Sequence, residues 1–137
     1  MDQGLTFHHI GIACRNIEKT QAFYEAMGYH ASPVVDDPVQ HVKVVFLDRQ
    51  GGPRLELLEP LDEHSPVNRT LQSNGVTPYH ICYAVEDINA TIHSLRSRRF
   101  ILVNGPVPAC AMHGKLVAFM YHKDMGLIEL VETHQNG

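Results

Sequence analysis

The chain contains its own second copy. The segment from His9, HIGIACRNIEKTQAFYEAMGY, lies without a gap over the segment from His80, HICYAVEDINATIHSLRSRRF, with five identities and most apolar positions coinciding. Further on, Arg54-Leu-Glu-Leu-Leu-Glu59 matches Leu127-Ile-Glu-Leu-Val-Glu132. His9 and Glu56 are 47 residues apart, His80 and Glu129 are 49 apart. A repeat of this kind is one supersecondary unit used twice, so whatever one half folds into, the other must resemble.

Within each half, the apolar run around the histidine reads as a strand, Phe7 to Ala13 and Tyr79 to Val85. A polar pair follows, Arg15-Asn16 or Glu86-Asp87, suited to capping a helix. The helices are expected over roughly 17–27 and 88–98; Ile17, Phe23, Tyr24 and Met27 recur at near-helical spacing in the first, and Gly28 supplies its stop. Shorter apolar segments divided by Gly, Pro and Asp come next, around 29–34, 41–48 and 53–59, then 100–104, 115–121 and 126–132. Each half is therefore expected to be one βαβββ module, giving an α+β fold: an eight-stranded curved sheet with helices on its convex side and a cup on the other. The expected organisation is one domain over 1-137, with module 1 at 5-60, a linker at 61-77 and module 2 at 78-133. Pro66 to Gln72 in the linker reads as a short helix.

Composition closes several alternatives. A formal charge of −4 argues against nucleic acid, whose binding needs a basic stripe. The one basic cluster, Arg96, Arg98 and Arg99, ends a helix, where the dipole favours cations. No apolar run is long enough to span a membrane, and Met1-Asp2-Gln3-Gly4 lacks a secretory start, so a cytoplasmic protein without a membrane partner is expected. Three cysteines, Cys14, Cys82 and Cys110, show neither pairing nor a thiolate metal spacing and read as buried reduced thiols.

Side chains alternate along a strand, so His9 shares a face with Phe7, Gly11 and Ala13, and His80 shares one with Cys82 and Ala84. Small neighbours leave room there. Glu56 and Glu129 stand in apolar runs, where an ionised carboxylate is costly without a positive partner. Any one of these residues alone would pass for a packing residue, but the repeat places the His and the Glu equivalently twice. Two imidazoles and two carboxylates make an N₂O₂ set with open positions, suited to a divalent ion: Co²⁺, Ni²⁺, Mn²⁺, Fe²⁺ or Zn²⁺. The expected metal ligands are His9, Glu56, His80 and Glu129.

At these residues the chain resembles the vicinal oxygen chelate superfamily, that of the glyoxalases, bleomycin resistance proteins and dioxygenases, and within it most resembles the methylmalonyl-CoA epimerases. The matching pieces are HHIGIAC (8–14), Phe23-Tyr24, VKVVFLD (42–48), LELLEPLDEHSP (55–66), YHICYAVEDINA (79–90), HGK (113–115) and KDMGLIELVE (123–132). The resemblance implies a metal-dependent isomerase that binds a small acyl-CoA thioester and moves a proton through an enolate, with Glu129 as one acid/base, and a homodimer. It also implies a second carboxylate on or before the second strand. Here the chain departs from the pattern, reading Asp36-Asp37-Pro38-Val39-Gln40-His41-Val42-Lys43-Val44 without a glutamate; His41, Lys43 and Asp37 are the substitutes to consider. The segment Ala109-Cys110-Ala111-Met112-His113-Gly114-Lys115 departs as well. A glyoxalase I-type lyase and a non-catalytic, resistance-type binding protein are the alternatives; Tyr24, Tyr79, Tyr83 and Tyr121 are candidates to line the cup.

Overall fold

A computed structural model describes residues 5–133; Met1–Gly4, read above for a secretory start, and the last four residues of the 1-137 domain lie outside the described residues. Nine strands and three helices follow in order: β1 (Thr6–Ala13), α1 (Ile17–Ala26), β2 (His30–Ala31), β3 (Val35–Asp37), β4 (Val42–Asp48), β5 (Leu55–Pro60), α2 (Val67–Asn74), β6 (Thr77–Val85), α3 (Ile88–Ser97), β7 (Ile101–Ala109), β8 (Lys115–His122) and β9 (Gly126–Glu132). The fold is α+β, as expected. The ninth strand arises because the 29–34 segment pairs only at His30–Ala31, after which Val35–Asp37 folds back on β4 as a separate short hairpin. A Pro at 33 denies that stretch a ladder donor.

Two compact units divide the described residues, 9–79 in one and 80–133 with 5–8 in the other. In the first unit the strands run β2-β4-β5-β1, with β3 also on β4. β1 and β5 are parallel, with Ile12 opposite Leu57, and β4 returns antiparallel to β5. Alternation sends Ile12, Val45, Leu47, Leu55 and Leu57 to one face, where they pack with Cys14, Ile17 and Tyr29 beneath α1. Full burial of a leucine such as Leu47 or Leu57 stabilises the fold by about 2 kcal/mol. Phe23 and Met27, expected on the buried side of α1, are exposed instead. At 100° per residue Tyr24 falls on the same line as Ile17, whereas Phe23 and Met27 fall well to one side of it.

The second unit repeats the plan with strand order β6-β9-β8-β7. Val85, Ile88, Ile92, Leu95, Ala118, Met120, Ile128 and Leu130 form its core, with Leu5 packed against them, and Thr6 Oγ1 donates to the Ala84 carbonyl at 3.5 Å. β7 runs on to Ala109, well past the expected 104, and is bulged against β8 between Leu102 and Val107. Gly105 is required at that bulge: its φ is +93°, and a Cβ there would lie 2.5 Å from the Val117 carbonyl oxygen. Of the cysteines, Cys14 and Cys82 are buried as expected, but Cys110 is exposed, because Cys110–Met112 form a 3₁₀ turn past the end of β7. Among the described residues no helix is long and apolar enough to cross a membrane.

Candidate functional site

Each unit brings its own histidine and glutamate together. In the first, Gly11 of β1 stands opposite Glu56 of β5, so His9, one pleat earlier on the same face, leans over the glutamate. His9 Nε2 lies 3.1 Å from Glu56 Oε1, and both side chains are buried. In the second, Cys82 of β6 stands opposite Glu129 of β9 in the same parallel register. His80 Nε2 lies 2.9 Å from Glu129 Oε1, again with both side chains buried.

The small residues expected to make room do so: Gly11 and Ala13 are buried beside the first pair, Cys82 and Ala84 beside the second. An aromatic wall completes each pair. Phe46, opposite Glu56 in β4, meets the His9 ring edge-on at 5.3 Å and 78°. Phe119, opposite Glu129 in β8, meets His80 at 5.3 Å and 87°. Such contacts hold a ring in one orientation while shielding it from water.

A second glutamate in each repeat has a structural duty that residue spacing did not assign. Glu59 and Glu132 come three residues after Glu56 and Glu129, an odd separation that turns their side chains to the opposite, helix-covered face. Glu59 accepts a hydrogen bond from the Ile17 backbone N–H at 2.8 Å, and Glu132 accepts one from Ile88 N–H at 2.9 Å. Asn16 and Asp87 accept from Lys19 and Ala90 N–H in the same first turns. The helix start is thus pinned to the strand that carries the site glutamate. The signal was present, since Glu-x-x-Glu occurs in both halves.

The donor chemistry fits a divalent ion. Two ligands bound cis on a six-coordinate ion with bonds of about 2.1 Å stand about 3.0 Å apart, and on a tetrahedral ion about 3.4 Å. The separations of 3.1 and 2.9 Å match the first value. A buried carboxylate is costly to hold ionised, and a divalent cation would offset that cost in each pair.

Each of the three substitutes for the missing glutamate has a neighbour of its own. Lys43 stands opposite Glu59, so its side chain emerges on the helix-covered face, away from His9 and Glu56. Asp37 is fully buried and is held by Gln40, whose backbone N–H and side-chain Nε2 donate to it at 3.0 and 2.7 Å. It pairs with Val42, which stands opposite Pro60, four strand residues or about 13 Å along from Glu56. His41 turns the chain with a φ of +59° and pairs with Asp62 at 2.9 Å, holding the Asp62 carboxyl below its usual range. Of the tyrosines, Tyr24 and Tyr83 pack toward the helix-covered cores. Cys14, beneath α1, has its thiol pushed up to about 11 by burial and then by Glu59 nearby, so it stays protonated.

Comparison with known proteins agrees with this frame. Residues 8–119 match the family model of the glyoxalase/bleomycin resistance protein/dioxygenase superfamily. Over 130 residues the chain is 38% identical to human mitochondrial methylmalonyl-CoA epimerase, covering 93% of this chain and 72% of that protein. It is 34% identical to the ethylmalonyl-CoA/methylmalonyl-CoA epimerase of Cereibacter sphaeroides, covering 92% and 96%. Among solved structures, Streptomyces coelicolor methylmalonyl-CoA epimerase in complex with 2-nitronate-propionyl-CoA superposes with a TM-score of 0.81 at 29% identity, covering 97% of this chain and all of that one. With two units built on one plan, a matched His–Glu pair in each and these relatives, the chain belongs to the glyoxalase/bleomycin resistance protein/dioxygenase superfamily.

Proposed function

We propose that the chain is a metal-dependent epimerase of a CoA thioester such as methylmalonyl-CoA. The observation that carries this reading is the twice-built His–Glu pair spaced like two cis ligands, in a chain whose relatives are epimerases of that substrate class. His9, Glu56, His80 and Glu129 would hold one divalent ion. When bound, it supplies Lewis-acid stabilisation of the negative charge that spreads onto the thioester oxygen as the α-proton leaves.

The chain's own residues do the rest. His9 and His80 bind as neutral imidazoles, and Phe46 and Phe119 keep water from their rings. Glu129 takes the α-proton on its carboxylate and returns it, which is general acid–base work. Inversion needs a second group on the opposite face of the α-carbon; Lys43 is turned away from the first unit's pair, and Asp37 is tied to Gln40. That observation favours a second reading, a protein that binds the thioester and exchanges one proton without completing inversion.

Metal-reconstituted protein incubated with methylmalonyl-CoA in D₂O, followed by NMR, tests both. Loss of the α-proton signal with racemisation, dependent on metal and on Glu129, is the expected result. Exchange without racemisation selects the second reading. Bound metal with no exchange of this thioester sinks the epimerase assignment and transfers weight to the glyoxalase-type or binding alternatives.

A further inference from the structure

The strand registers of the second unit set a row of side chains beside its His–Glu pair. Ile81 is opposite Ile128 in the parallel β6–β9 pairing, so His80 stands beside Leu127. Leu127 is opposite Tyr121, and Tyr121 is opposite Ile101 at the edge of the sheet. Residues directly opposite one another point to the same face. The row His80–Leu127–Tyr121–Ile101 therefore lies on the face of the site, two residues along β9 from Glu129. Leu102, Met120 and Ile128, each one residue away, turn into the core beneath α3. Leu127 is half-buried, whereas Tyr121 and Ile101 are 41% and 62% exposed.

The first unit shows what the fold requires here. Ile10 is opposite Leu55, so His9 stands beside Arg54. Arg54 Nε lies 2.8 Å from Asp48 Oδ1, and Asp48 is opposite His30. The equivalent row thus reads His9–Arg54–Asp48–His30 and is polar throughout, with Leu127 in the place of Arg54, Tyr121 in that of Asp48 and Ile101 in that of His30. One backbone plan is built with polar residues in this row and its core lies on the other face, so folding does not call for apolar side chains there. Three adjoining apolar residues facing water, rather than scattered singly, mark a contact surface.

Continuity with His80 identifies the occupant as the apolar part of whatever the pair holds. In a malonyl-type acyl group that part is the alkyl branch on the α-carbon. Strands lie about 4.8 Å apart, so a branch of about three to six carbons laid along the row covers Leu127 and reaches the Tyr121 ring. The ring offers an apolar flank while its hydroxyl stays in water.

We propose that Leu127, Tyr121 and Ile101 form the specificity ledge of the site, which takes 2-alkylmalonyl thioesters with branches of about three to six carbons. Naming a thioester rests on the epimerase reading; the ledge itself rests on the registers.

The test is an NMR titration of Zn²⁺-loaded, methyl-labelled protein with free methyl-, ethyl-, butyl- and hexylmalonate. Affinity should rise about threefold per methylene from methyl to butyl and less steeply to hexyl, with shifts at the Leu127 and Ile101 methyls growing along the series. Tyr121→Asp combined with Leu127→Arg, which imports the first unit's pair, should bring the butyl-to-methyl ratio from about thirtyfold to about threefold or less. A flat series in the parent protein overturns the proposal, as do an undiminished ratio in the folded double variant and failure of all four diacids to bind. If the double variant does not fold, Ile101→Ser at the exposed edge decides: it should abolish the gain from butyl to hexyl, and an unchanged gain overturns the proposal equally. Sedimentation that finds the parent dimeric and the double variant monomeric, with the ratios unchanged, assigns the row to a second copy of the chain instead. α-Proton exchange in D₂O separates the two failures. A flat series with exchange intact removes the ledge alone, and a steep series without exchange removes the epimerase reading and leaves the ledge.

Discussion

In the first unit, α1 closes on Gly28 at a φ of +100°, Arg49 donates to the Met27 carbonyl at 2.7 Å and two tyrosines fill the space below. In the second, α3 closes on Arg99 at a φ of +72°, the place of Arg49 is held by His122, and Tyr83, Leu95 and Phe100 line a half-open cavity below. At the other end of each module the two units are almost superimposable in chemistry: a His–Glu contact near 3 Å, a phenylalanine edge at 5.3 Å and a second glutamate on the first turn of the helix. The difference teaches where the fold is under chemical constraint. The pair, its wall and its anchor recur because together they fix the positions of the His and Glu side chains. The far helix end needs only to reverse the chain, and several residue sets do that.

The largest expected effect breaks the symmetry of the two pairs. Glu129→Gln should lower the α-proton exchange rate by about 10³ with metal retained, while Glu56→Gln, removing only a ligand charge, costs about tenfold. Rates together with metal content by atomic absorption check this, and equal losses would show that the two glutamates share one role.

Next comes the bulge, which stands where the first unit's pairing on β4 breaks off between Ala31 and Val35. Gly105→Ala should cost about 3 kcal/mol or more by urea unfolding, because its Cβ meets backbone. Gly51→Ala, at a φ of +78° in open space, should cost only about 1 kcal/mol.

Cys14 offers a test by pH. Its thiol is raised from 9.0 to about 11 in the folded state, so the unfolded chain deprotonates first. The stability it contributes is present below pH 9 and is lost as pH climbs through about 11, amounting to at most about 2–3 kcal/mol. The repeat places Val85 at the equivalent position, and Cys14→Val should remove that part of the alkaline decline in denaturation midpoints.

The smallest effect exchanges the helix ends. Arg99→Gly should stabilise by about 1 kcal/mol and Gly28→Ala should destabilise by a similar amount, since a positive φ costs an L side chain that much. A null result at Arg99 would mean that its side chain offsets the backbone strain.

Much of the site is legible in the sequence because a repeat supplies its own control: His9 and His80, then Glu56 and Glu129, recur at matched spacing among apolar neighbours. Phe46 and Phe119 recur as well, yet nothing in the sequence says which strand stands opposite which. The fate of Lys43 shows the same limit. Its position before an apolar run suits a catalytic substitute, and only its register against Glu59 turns it to the wrong face.

The sequence by itself therefore determined the module, its duplication and the residue types of the pairs, all of which are local periodicity and spacing. Tertiary structure alone decided the strand registers, the exposure of Cys110, the anchoring duty of Glu59 and Glu132 and the cavity under α3. These depend on which residues from distant segments meet, and a one-residue change of register would send every side chain of a strand to the opposite face.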